Sequence, residues 1–360
     1  MKRAFISDCE GPISKNDNAY EITAHYVPNG NRLFTVISRY DDVLVEILKR
    51  SGYKAGDTLK LILPFLKAYG VTDAKMEEFS ANNLVLISGA KDTLQHVRSF
   101  ADAFIVSTSY EHYIRATCKA LAFPCENAYC TRVNLDKYSL SESENVRLKR
   151  ISQEIAKMPM FEISPNAGSL KDLPIEAQKT VQQLDGIFWK EIAGMNFGRI
   201  YSEVHPMGGK EKAAAVRDIA EKMSMGISDC MYVGDSITDE EAFSLVKKHG
   251  GLTISFNGNQ YAVGNAEIAV LSENSLITAV IADVFCRYGK QQSLDLAASW
   301  SREVLKKSQV SPVLMNRVFK LYPSELPKVK IITSENMENL TKESSEFRKK
   351  VRGEAVGRLG

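Results

Sequence analysis

The chain is short of the features that mark proteins built for a membrane, a nucleic acid or an oxidising compartment. No apolar run reaches the ~18 residues needed to span a bilayer. The 46 basic and 44 acidic residues leave a net charge of +2, so no global field draws the chain to nucleic acid or an anionic bilayer. The six cysteines include no CxxC pair, and Cys125 and Cys130 have no second pair with which to complete a zinc site. They are expected as reduced thiols in a cytoplasmic protein. The opening segment has too short an apolar stretch for a signal-peptide core, and no repeat at solenoid periods is present. What remains is ordinary globular composition, 44% hydrophobic and 25% charged, in 360 residues. That length corresponds to about two or three domains.

Short apolar runs alternate with helical spacing. Arg3–Ser7 reads as a buried strand ending at Asp8 and stopped by Gly11 and Pro12. Residues 20–88 read as mostly helical, with Leu59, Ile62, Leu63 and Leu66 on one face. Ala103–Val106 is a second strand, running into Ser107. Residues 128–140 read as extended, with a hairpin as one form. Residues 142–196 read as a polar, helix-like insertion broken at Pro159, Pro165 and Pro174. Ile200–Val204, Met231–Val233, Leu252–Phe256 and Glu267–Leu271 read as further strands, Lys212–Met223 and 276–285 as helices, and the remainder as helix-rich with a charged, partly disordered end. This alternation predicts an α/β fold: a Rossmann-like, doubly wound parallel sheet carrying a helical cap and a second insertion. Such sheets place their sites at the carboxyl ends of strands, where Asp8, Ser107 and Asp235 fall.

Each of these residues has a plain structural role as well as a chemical one. Asp8 and Glu10 alternate onto one side of the chain, with Gly11 leaving room for a ligand; together they could attack and trade a proton, or simply cap a turn. Asp235 and Asp239, four apart across a strand-to-helix turn, could face one hard cation, or Asp239 could serve the next helix's N-terminus. Ser107 could donate to a phosphate oxygen or cap a helix. Lys210 and Lys212 could neutralise a carboxylate-rich site or be solvated charges. Lys15, Asn16 and Asp17 either reach a substrate or form the turn into the cap. His25, His112 and His205 are isolated and read as structural.

Taken in order, the stretches resemble the motifs of the haloacid dehalogenase superfamily, in its phosphoserine-phosphatase-like branch. Asp8-Cys9-Glu10-Gly11 resembles the first motif, DxDG; Ser107 the second-motif hydroxyl; Lys212-Ala213-Ala214-Ala215-Val216 the lysine motif; and Val233–Asp239 the acidic fourth motif. Ser88–Leu94 and Asn257–Ala266 are similar to the stretches that precede the second motif and follow the fourth. The resemblance covers residues 1–12, 88–137 and 198–285 as the core. It leaves 13–87 as a cap between the first two motifs, 138–197 as a second insertion and 286–360 as a helical extension. It implies a Mg²⁺-dependent phosphatase. Asp8 would attack phosphorus to form an aspartyl-phosphate, and Glu10 would act as acid and then base. Ser107, Thr108, Lys212 and Lys210 would hold the phosphoryl group. The cation would sit on Asp8, the Glu10 carbonyl and Asp235, with Asp239 nearby.

Three departures stand out. Glu10 replaces the usual second aspartate, Pro12 replaces Thr or Val, and Lys210 competes with Lys212. The 23-residue spacing from Lys212 to Asp235 fits one helix and one strand, and the AAAV that follows favours Lys212. Intervals of 99 residues between Asp8 and Ser107, and 105 between Ser107 and Lys212, leave room for two covers, which favour a small phosphorylated molecule over a protein substrate. A phosphonatase or dehalogenase is one rival reading. Another is a weakly catalytic or non-catalytic accessory subunit, since the chain is also similar around Asp8–Pro12 to archaeal family members named as a subunit of an energy-converting hydrogenase; the C-terminal extension would then meet a protein partner.

Overall fold

The computed structural model describes residues 3–161, 163 and 167–357. Seven strands form one sheet: β1 (Ala4–Ser7), β2 (Asp102–Tyr110), β3 (Ala128–Thr131), β4 (Cys230–Gly234), β5 (Leu252–Phe256), β6 (Ile268–Leu271) and β7 (Lys328–Ile331). Their order is β3-β2-β1-β4-β5-β6-β7. The first six are parallel, and only β7 runs antiparallel, against β6. From β1 the chain moves outward to β2 and β3, then returns to β4 on the other side of β1. The order therefore reverses between β1 and β4, and the crevice beyond their carboxyl ends is where this fold class binds ligands.

Both faces of the sheet are covered, which is why its strands are near-continuous apolar runs. Phe5, Ile105, Met231 and Ile254 pack under the helices Ala90–Arg98, Glu111–Leu121 and Leu276–Tyr288. Ile6, Val106 and Tyr232 pack against the helices Gly209–Lys222 and Glu240–Lys248. The expected doubly wound α/β architecture is the one observed.

The two insertions build one layer. Leu33, Ile37, Ile62 and Phe65 from the first share a core with Leu148, Ile151, Leu184 and Phe188 from the second. The Trp189 indole donates to the Tyr40 hydroxyl at 2.8 Å. Apolar faces that neither stretch could bury alone are buried together.

Several local readings need correction. Ile200–Glu203 is a helical turn, because the preceding Asn196–Arg199 already turns as a 3₁₀ helix and hands on its carbonyls. Residues 128–140 contain no hairpin: β3 pairs in parallel with β2, and Leu135–Lys137 is a 3₁₀ turn capped by Asn134. β2 runs three residues past Ser107, to Tyr110. The charged C-terminal stretch contains β7 and the ordered helix Met337–Arg352. Pro165 and residues 358–360 lie outside the described residues. No described helix is long and apolar enough to cross a membrane.

Candidate active site

β1 delivers Asp8 directly at its carboxyl end, where the Asp8 N–H donates to Val233 O of β4 at 2.8 Å. That register aligns the residue after β1 with the residue that closes β4. Asp235 follows β4, and a tight turn brings Asp239 back under it. Both Asp239 oxygens are used: Oδ2 accepts from the Asp235 and Ser236 amides at 2.9 and 3.0 Å, and Oδ1 accepts from Tyr232 and Lys212, each at 2.8 Å.

Lys212 is fully buried. Its Nζ donates to Asp8 Oδ2 at 2.6 Å as well as to Asp239. The helix Gly209–Lys222 starts close against the core because Gly208 and Gly209 carry no Cβ; one would meet Ala55 O or the Glu241 carboxylate. Lys210, two residues earlier and about 200° around the helix, is exposed. The geometry thus brings Lys212, and not Lys210, into the carboxylate cluster. Burial alone would lower the Lys212 pKa; Asp239 and Asp8 outweigh it and hold the ammonium charged.

Asp8, Asp235 and Asp239 each offer a buried carboxylate oxygen within 4.8 Å of the others. Burial pushes the Asp8 carboxyl up to about 7, against the pull of Lys212. Burial, and after it the neighbouring Asp17, push the Glu10 carboxyl well above the ordinary carboxyl range. Its Oε1 accepts from the Asn18 N–H at 2.8 Å, at the start of the first cap helix.

A cavity of about 110 Å³ lies over Asp8 and Glu10. Thr108, Ser109 and Thr238 line it from the core, and Asp17, Phe34, Asp41 and Thr58 from the cap. Ser107 itself is buried beneath this lining; its hydroxyl donates to Ser109 Oγ and accepts from the Ser109 N–H, both at 3.2 Å. Thr108 Oγ1 donates to Met207 O at 3.0 Å. Asp17 caps the first cap helix through the Tyr20 N–H at 2.9 Å and also faces the cavity, while Asn16 is turned into structural bonds with Glu21, Asn83 and Val85. His112 is bonded to Asp73 at 2.9 Å, away from the cavity lining.

Two cavity residues were not expected. Arg348 and Arg352, from the helix Met337–Arg352, both donate to Asp235 Oδ2, Arg352 at 3.0 Å. The available signal was spacing: Leu340, Ser344 and Arg348, each four apart, face inward on this helix, which a reading of the segment as a solvated charged end discards.

These features are those of an α/β protein in which Asp8, Lys212 and the acidic turn Asp235–Asp239 meet at the switch point of a doubly wound sheet. A family model for haloacid dehalogenase-like hydrolases matches residues 59–283, and the chain belongs to that family. Among solved structures, a gene product of Archaeoglobus fulgidus is similar with a TM-score of 0.80 at 25% identity, over 100% of this chain and 99% of that one. A substrate-bound phosphoserine phosphatase is similar with a TM-score of 0.45 at 14% identity, over 76% of this chain and 95% of that one. A phospho-aspartyl intermediate analogue of phosphoserine phosphatase gives 0.44 at 14%, with the same coverages. No curated protein matches.

Proposed function

We propose that this chain is a Mg²⁺-dependent phosphatase acting on a small phosphorylated metabolite through an aspartyl-phosphate on Asp8. The observation that carries the reading is Lys212 Nζ bridging Asp8 and Asp239 beside Asp235, with the cavity opening directly over Asp8.

The donor chemistry fits the cation. Hard, buried carboxylate oxygens within one coordination sphere suit Mg²⁺, which takes few protein ligands and keeps waters. Asp8, Asp235 and the Glu10 carbonyl would hold it. Asp239, whose oxygens already accept five hydrogen bonds, serves instead to hold Lys212 and the turn. When bound, the cation would supply charge neutralisation to the transferring phosphoryl oxygens.

The side chains divide the remaining work. Asp8 attacks phosphorus in line while Lys212 offsets charge on the equatorial oxygens. Ser107 and Ser109 can exchange their mutual hydroxyl bond for bonds to those oxygens. Glu10, whose raised pKa favours the acid form, gives its proton to the leaving oxygen, and as carboxylate then takes one from the water that opens the aspartyl-phosphate. The cap over the small cavity keeps bulk water out and limits leaving-group size.

A second reading is an accessory role with weak or no catalysis. It is favoured by the two arginines already engaging Asp235. The experiment that separates the two is turnover of p-nitrophenyl phosphate and acetyl phosphate with and without Mg²⁺. Wild type is expected to be active and Asp8→Asn inactive. Equal turnover by both proteins sinks the nucleophile, and inactivity across a broad phosphometabolite panel favours the accessory role.

A further inference from the structure

The helix Met337–Arg352 lies beyond the matched family segment, yet it ends inside the candidate active site. Its inner face is set by Leu340, Ser344, Arg348 and Val351. Ser344 Oγ donates to Gly258 O at 2.6 Å, just past β5, and fixes the helix over the strand ends. Arg348, 3% exposed, donates from Nη1 to the Asp235 carbonyl at 3.2 Å and to the Asp235 carboxylate. Arg352 Nη1 reaches the same carboxylate at 3.0 Å, while its Nε and Nη2 donate to Lys15 O at 3.0 Å and Asn16 O at 2.5 Å. One guanidinium therefore ties Asp235 to the loop that leads from the nucleophile into the cap.

Taking two guanidinium groups out of water is costly unless charge and hydrogen bonds compensate. Backbone carbonyls supply part of it, but the carboxylate that both guanidiniums share is one that a divalent cation would need. Two fixed positive charges and a doubly charged ion around Asp235 repel one another strongly at such separations. Whatever stabilises one set of cations there must weaken the other, and the coupling is reciprocal.

We propose that Arg348 and Arg352 are positioning residues acting through Asp235, and that the C-terminal helix sets the divalent-cation affinity of the site by competing for that carboxylate. The inference rests on Asp235 being a cation ligand, as in the function proposed above. In the metal-free protein the arginines hold Asp235 in place of the ion. Cation loading draws Asp235 away from them and loosens the helix end and its hold on Lys15 and Asn16. The extension is thus a resident counter-charge rather than an appended tail.

The test uses the full chain and reads metal binding and helix exchange, not turnover. Mg²⁺ and Mn²⁺ are titrated calorimetrically into wild type, Arg352→Gln, Arg348→Gln and Arg352→Lys. Each glutamine variant is expected to bind on the order of tenfold tighter, as removal of one nearby like charge implies, with Arg352→Lys staying near wild type. In wild type, saturating Mg²⁺ is expected to speed amide exchange across residues 337–352. Equal or weaker binding by the glutamine variants overturns the proposal, as does unchanged or slower exchange; where a variant fails to fold, wild-type exchange alone decides. No cation binding by any of the proteins overturns it together with the metal assignment. Tighter binding in a protein that hydrolyses no phosphomonoester leaves it standing and fails the phosphatase reading instead.

Discussion

Lys212 Nζ sits 2.8 Å from Asp239 Oδ1, with both side chains wholly removed from solvent. The same ammonium reaches Asp8 at 2.6 Å. A charge this deep is held by the two carboxylates that face it, while Asp239 is also held by the Tyr232 hydroxyl and the Asp235 and Ser236 amides. Orientation and charge at Asp8 thus come from one buried cluster built by three chain segments.

Replacing Lys212 by Met should therefore damage stability and activity together. Removing one partner of a buried ionic cluster costs about 3–5 kcal/mol. Losing a charge directed at the phosphoryl oxygens should cost on the order of 10²–10³-fold in kcat. Thermal melting and steady-state kinetics read the two effects. Lys210→Ala, at an exposed position in the same first turn, should change neither.

Glu10→Gln separates proton transfer from phosphoryl binding. Glutamine keeps an oxygen for the Asn18 N–H, now at 2.8 Å from the carboxylate, but carries no transferable proton. An alkyl phosphate, whose leaving oxygen must be protonated, should slow by roughly 10²–10⁴-fold. p-Nitrophenyl phosphate, whose leaving group departs as a stable anion, should slow far less in the first chemical step. Comparing bursts and steady-state rates for the two substrates checks this; equal losses would show that Glu10 serves only as a structural anchor.

The buried carboxyls give a pH signature. Burial pushes Asp8 and Asp41 each up to about 7, against an unfolded value of ~3.9. A folded pKa above the unfolded one means that the native state binds more protons across that interval. Stability from these groups is present in full below the unfolded value and is lost as pH rises toward 7. Metal-free protein should therefore melt at a lower temperature at pH 7.5 than at pH 5. Asp41→Asn should flatten that slope, since the amide is neutral throughout.

Much of this arrangement was legible in the chain because its signals are local. β1, β4 and β5 announce themselves as short apolar runs ending in polar residues, and Lys212 and Asp235 stand one helix and one strand apart. Ile200–Val204 misled because so short a stretch with apolar ends fits a strand and a helical turn equally. β7 escaped because Lys328 and Lys330 alternate with Val329 on an edge strand, where charge is common. The union of the two insertions into one core is a non-local fact with no sequence signature. Arg348 and Arg352 were hidden for the same reason: a basic helix end reads as solvated until the fold places an aspartate against it.

Gly11 supplies the sharpest test of how tightly the site is built. Its φ of +104° disfavours any side chain, and a Cβ there would lie 2.1 Å from Asp235 Oδ2 and 2.3 Å from its Cγ. Gly11→Ala thus carries about 1–3 kcal/mol of backbone strain and forces the Asp235 carboxylate out of position. Turnover should fall by 10²-fold or more, since misplacement near 1 Å is enough to cost that, and Mg²⁺ affinity measured calorimetrically should weaken with it. Gly52→Ala is the matched control: its φ is +75°, and its Cβ would meet nothing within 4 Å. It should lower the melting temperature by a similar backbone cost and leave both turnover and cation affinity at wild-type levels. If the two variants lose activity alike, general destabilisation and not displacement of Asp235 is the cause.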